Sequence, residues 1–184
     1  MTDEWLSRIN DPQNRASLAS LILAIDGLGE TEEVKAATSL MTIARNLRLP
    51  PNERIAAVRA LSKMRAPGLV GLAQSLVDTK SQPTLLNRVM ALELMKALDS
   101  QDAIALLKEF ASHDSSAIQS GALQRLHAID PRHVDDFAES AIKSKDAGVR
   151  TVGAETLIAQ EHVKSIASLA TLLDDVNPTL RSFV

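Results

Sequence analysis

Asp146-Ala147-Gly148-Val149-Arg150-Thr151-Val152-Gly153-Ala154-Glu155-Thr156-Leu157 begins with a side-chain acceptor and runs on without a proline. Asp146 suits the N-cap of a helix. At about 100° per residue Val149, Val152, Gly153, Thr156 and Leu157 share one arc, and Glu155 points away from it. The stretch predicts a helix with a buried face and a wet face, and the small residue in the buried face lets a neighbouring helix come close.

The pattern recurs along the chain. With Arg150 as the reference, basic or amide residues stand at Arg54, Arg88, Gln119 and Arg181, and successive spacings are 34, 31, 31 and 31. Three positions on come Ala57, Ala91, Ala122, Gly153 and Val184; seven on come Leu61, Met95, Leu126 and Leu157. Five on come Arg59, Glu93, Gln124 and Glu155, all polar. The position before the reference changes from Glu53 and Asn87 to Ile118, Val149 and Leu180, so the first two copies are less regular. A period of this length marks stacked helical hairpins.

Each copy carries a second apolar stripe with helical steps: Leu69, Leu72, Leu76; Ile104, Leu107, Phe110; Val134, Phe137, Ala141; Ile166, Leu169, Leu172. The punctuation agrees. Asp11-Pro12, Asp130-Pro131 and Asn177-Pro178 each place an acceptor at an N-cap and a proline at the first helical position, and Ser100 and Asp146 suit two further caps. Residues 1–50 fit the register loosely, as irregular capping helices over Thr2 to Ile9, Pro12 to Asp26 (closed by Gly27 or Gly29) and Thr31 to Arg48. Residues 51–184 then hold four hairpins and the start of a fifth at Arg181. Because no polar cap follows that start, the register predicts an N-terminal piece of a longer repeat protein.

Val149-Arg150, Gly153-Ala154 and Leu157, with Glu53-Arg54-Ile55-Ala56-Ala57-Val58-Arg59-Ala60-Leu61, resemble the Val-Arg-x-x-Ala-Ala-x-x-Leu first helix of HEAT repeats, over roughly residues 50 to 184. This armadillo-like resemblance implies an all-α, right-handed α-α superhelix: one solenoid domain over residues 1–184, built from antiparallel helix pairs, about eleven helices in all. In that family an Arg and a preceding Asp form a hydrogen-bonded ladder between units. The resemblance carries that role to Asp146 and Arg150, and in part to Asp175 and Arg181. Gln119, Glu53 and Asn87 depart from the pattern.

Composition supports helices. Apolar residues make up 45% of the chain and aromatic ones 2%, so Leu, Ala, Ile and Val must fill the interior, and no stretch alternates as strands do. The formal charge is -3 with mixed signs, and neither a concentrated basic stripe nor a set of aromatic platforms speaks for nucleic acid. Zero cysteines exclude disulfides, thiolate nucleophiles and thiolate zinc sites. The acidic start, Met1-Thr2-Asp3-Glu4-Trp5, is unlike a secretory signal, and apolar runs such as Leu21 to Ile25 are too short to span a bilayer. The expected setting is cytoplasmic.

Candidate chemistry is sparse. Of His113, His127, His133 and His162, no two stand four apart, and the His-Glu dipeptides of HEAT-fold iron hydroxylases have as their nearest counterpart the reversed, single Glu161-His162. His133, Asp135, Asp136 and Glu139 form a denser polar group where a second helix begins. The helix dipole accounts for acidic groups there; on the inner curve of a HEAT solenoid the same four would meet a basic partner. Arg59, Lys63 and Arg65 make a small basic cluster at a helix end, a conceivable DNA-backbone contact. HEAT-like DNA glycosylases grip DNA in a cationic groove with Trp, Asp and Arg, whereas the one Trp here, Trp5, lies outside the register and reads as an apolar lid on the first hairpin. No Gly-x-Ser-x-Gly turn or Gly-rich phosphate loop occurs. The sequence thus predicts a non-catalytic scaffold for a protein partner, with no cofactor and no metal site. The alternatives are a subunit resembling the chromophore lyases of the HEAT family and a DNA-backbone binder.

Overall fold

The computed structural model describes residues 2–10, 18–78, 83–160 and 163–183. Among them lie twelve α-helices and no strand: α1 (Thr2–Asn10), α2 (Leu18–Glu30), α3 (Ala37–Arg45), α4 (Pro51–Lys63), α5 (Leu69–Val77), α6 (Leu85–Met95), α7 (Gln101–Ala111), α8 (Ser116–Ile129), α9 (Asp135–Ala141), α10 (Ala147–Ala159), α11 (Val163–Ala170) and α12 (Pro178–Phe183). The chain is an all-helical repeat. The helix beyond the expected eleven is α12, where Pro178 has already started a turn with Asn177 accepting from the Thr179 N–H at 2.9 Å. Three 3-10 segments, Val34–Ala36, Pro131–Val134 and Thr171–Asp174, adjoin longer helices.

Contacts divide the chain into two units, Met1–Asp99 and Ser100–Val184. In the first, α2, α4 and α6 lie side by side in chain order, with α3 against α4, α5 against α6 and α1 on α2. In the second, α8 lies beside α10, with α7 against α8 and α9 against α10. The more extensive pairing thus joins the second helix of one repeat to the first helix of the next.

The columns keep their stations. Ala57, Ala91, Ala122, Leu61, Met95 and Leu126 have no exposed surface, while Arg59 and Gln124 are exposed and Glu93 and Glu155 half-buried. Gly153 is buried under α9, and a Cβ there would lie 2.8 Å from Ala141 Cβ and 2.9 Å from the Ile142 nitrogen. Four caps form as the sequence predicts. Ser100 accepts from the Ala103 N–H (3.3 Å), Asp146 from Val149 (3.1 Å), Asp130 from Arg132 (3.0 Å), and Asn177 as above. Thr84 caps α6 in the same way. Asp11-Pro12 and Val184 lie outside the described residues.

Three expectations are corrected. First, α2 does not close at Gly27 or Gly29 but runs to Glu30, because both glycines serve close approach: a Cβ on Gly27 would lie 2.7 Å from the Trp5 ring, and one on Gly29 2.8 Å from Ala60 Cα. Trp5 therefore seats α1 on α2. The chain turns at Glu32 in the left-handed region (φ 51°), and α3 begins only at Ala37. Second, Ile166 is 63% exposed, and the inward positions beside it are Ser165, Leu169 and Leu172. One residue is about 100° of helix, so Ile166 turns away from the core while Leu169 and Leu172 of the same stripe stay on it. Third, of the residues given the ladder role, Asp146 serves as the α10 cap instead, and the rung that forms joins Arg150 to Asp175.

Candidate functional site

The reference column is a set of donors that stitch each helix to the connection before it. The last carbonyls of a helix have no intrahelical partner, and a side chain with several N–H groups satisfies them. Arg54 Nε donates to the Ala44 carbonyl (3.0 Å), Arg88 to Pro83 (2.6 Å), Gln119 Nε2 to Ala111 (3.1 Å), Arg150 to Ser144 (2.9 Å) and Lys145 (3.0 Å), and Arg181 to Asp175 (2.6 Å). Gln119 does the work of an arginine, so the station needs a donor rather than a charge. Two members also reach forward. Arg54 donates to Asn87 Oδ1 (2.9 Å), which explains the polar departure at Asn87, and Arg150 grips Asp175 with two bonds of 2.7 and 2.8 Å. Burial pulls the Arg54 guanidinium below its ordinary pKa. Asp175 is held below the usual carboxylate value chiefly by its bond to Arg150, then by the Asn177 N–H. These residues hold the repeat together.

Of the polar group foreseen at the second helix, His133 is half-buried in Pro131–Val134, and Asp135, Asp136 and Glu139 lie exposed on α9. Asp135 accepts from Gln160 Nε2 at 2.8 Å, and both Glu139 carboxylate oxygens accept from the Ser168 hydroxyl at 2.9 and 3.0 Å. Two of the four are therefore rungs to α10 and α11. Asp130, just upstream, pairs with Arg132 and is lowered to a pKa of about 2, first by that side-chain bond. His113 Nδ1 accepts from the Ser115 N–H, a local turn contact. Glu161 and His162 lie outside the described residues. No group of three or more His, Asp or Glu placed to hold a metal occurs among the described residues, and no described helix is long and apolar enough to cross a membrane.

The basic cluster, by contrast, lies in a groove. Arg59, Ser62, Lys63 and Arg65 at the end of α4 face Glu93, Lys96 and Ala97 at the end of α6 across an open cavity of about 340 Å³. The Ser62 hydroxyl donates to the Glu93 carbonyl (3.1 Å) and ties the two helices. A second groove of about 260 Å³, between α2 and α4, runs along Ile22, Asp26, Asn52 and Ile55 and also reaches Arg59. Lys63 is paired with Glu30 of α2, and Lys96 with Glu93 at 2.6 Å. Among the described residues Arg59 and Arg65 have no ion-pair partner, and both are exposed. Sequence reasoning found three of these cations but missed Lys96. The repeat spacing of 34 sets Glu93 opposite Arg59 and Lys96 opposite Ser62, so it places Lys96 at the same helix end as the α4 cations.

No family model and no curated protein matches the chain. Among solved structures it is similar to human deoxyhypusine hydroxylase in complex with glycerol, with 15% identity and a TM-score of 0.40 over 96% of this chain and 81% of that one. The likeness is one of all-helical build, and it brings no activity, substrate or partner to this chain.

Proposed function

We propose that the chain is a HEAT-like scaffold that holds a protein partner on the wet faces of α2, α4 and α6, and that it binds rather than catalyses. The observation that carries this is the pair of grooves meeting at Arg59: their walls come from three successive stacked helices, so a ligand lying in them would span repeats. The recurring donor column supports the HEAT kinship. A competing face is the α9 group, where Asp136 and His133 stand ready for a basic partner while Asp135 and Glu139 are used as rungs.

Site-specific photo-crosslinking in the cells that make the protein tests both faces. A crosslinker at Asn52 or Ala97 is expected to give a discrete protein adduct, and one at Asp136 none. An adduct from Asp136 alone moves the partner to α9. Protein adducts from none of the three positions would overturn the scaffold reading.

A further inference from the structure

The charge in the α4–α6 groove is unbalanced in a specific way. Four cations line it against one carboxylate, Glu93. The helix dipole accounts for cations at the α4 and α6 C-termini, and Lys63 and Lys96 already have carboxylate partners. What remains is two guanidinium groups, Arg59 and Arg65, opening on one concavity.

Arg65 stands there against its backbone preference. The end of α4 is a Schellman turn: the Ala66 N–H donates to the Leu61 carbonyl and the Arg65 N–H to Ser62. That turn puts Arg65 at φ 46°, the left-handed region in which glycine is at ease and a residue with a Cβ is strained. Glu32 occupies the same station after α2 but lines neither groove, so strain alone marks nothing. At Arg65 the strained residue also supplies a groove wall.

We propose that the α4–α6 groove docks a short acidic segment of the partner, with its side-chain carboxylates gripped by Arg59 and Arg65. Planar guanidinium groups match carboxylates in two parallel bonds. A nucleic-acid backbone fits less well, because Glu93 and Glu30 interrupt the cations and two open guanidinium groups neutralise too few phosphates to hold a strand. The proposal rests on the scaffold reading and names the partner's chemistry.

The test uses the full chain and a fluorescein-labelled peptide rich in Asp and Glu, beside its Asn/Gln counterpart and a short DNA duplex, read by fluorescence anisotropy. Wild type is expected to bind the acidic peptide in a salt-sensitive manner and the amide peptide not at all. Arg59→Gln with Arg65→Gly is expected to weaken binding about tenfold, the sum of two exposed charge pairs. Glu93→Gln, which releases Lys96, is expected to tighten it. Arg65→Gly alone relieves the left-handed strain, so its denaturation midpoint should be no lower than that of wild type, which separates lost binding from lost fold. Equal binding of both peptides, or unchanged binding by the double variant, would overturn the proposal; so would DNA that binds more tightly than the peptide and is lost in the same double variant. Crosslinked partner protein together with a silent acidic peptide would remove this inference and leave the scaffold reading standing.

Discussion

At the scale of single residues, small side chains decide which helices can touch. Gly153 lies 2.8 to 3.0 Å, as a hypothetical Cβ, from Ala141 Cβ, the Ile142 nitrogen and the Ala138 carbonyl, and two of those three atoms are backbone. Gly153→Ala should therefore lower stability by about 1–3 kcal/mol through overpacking, read from the midpoint of urea unfolding. Gly71 on α5 has open space around it, and Gly71→Ala should raise stability by about 0.5 kcal/mol in the same assay. A loss at Gly71 as large as that at Gly153 would mean that close contact is not what separates the two sites. Gly153 was legible in the sequence because its column reads Ala, Ala, Ala, Gly, a position that wants to be small. Gly27 and Gly29 are not legible in the same way, because a glycine late in a helix signals a stop or a contact equally, and only the positions of Trp5 and Ala60 decide.

At the scale of elements, most helices were legible because their period, caps and prolines agree, and the weaker parts are those where one signal stood alone. A stripe of three residues points Ile166 inward; Ser165 carries the burial instead, and a buried serine gives no apolar signal. The groove at the ends of α4 and α6 was half legible: the cations of α4 sit close in sequence, whereas Lys96 and Glu93 reach them only through stacking. The reference column gives a sharp test of what a repeat station needs. If Gln119 serves as a donor to the Ala111 carbonyl, Gln119→Arg should keep wild-type stability and Gln119→Leu should lose about 1 kcal/mol, the worth of one hydrogen bond to a part-buried acceptor. Chemical denaturation of the three proteins checks this, and equal loss in both variants would show that the station depends on shape instead. Removing the α10 cap with Asp146→Ala should lose about 1 kcal/mol on its own.

Over the whole chain, the response to acid should be uneven. Among the described residues, the two carboxylates whose pKa values are depressed, Asp130 and Asp175, both belong to the unit Ser100–Val184. A group whose folded pKa lies below its unfolded value contributes stability that is fully present above the unfolded value, here 3.8, and is lost as the pH falls through the folded one. For Asp130 that loss ends near its folded value of about 2. The two are not equal in weight. Arg132 is 84% exposed, so its pair with Asp130 is screened by water and salt, whereas the Arg150 and Asp175 side chains are 9% and 7% exposed and joined by two bonds. Acid should therefore loosen residues 100–184 before residues 1–99, chiefly through Asp175. Pepsin digestion across pH values from about 4 to about 2 would show it, with early cleavage confined to the later unit. Asp175→Asn should unfold more easily at neutral pH, and its difference from wild type should shrink as the pH falls, while Asp130→Asn changes little. A difference between Asp175→Asn and wild type that holds constant to low pH would mean that the Arg150–Asp175 contact acts through shape and hydrogen bonding, not through charge.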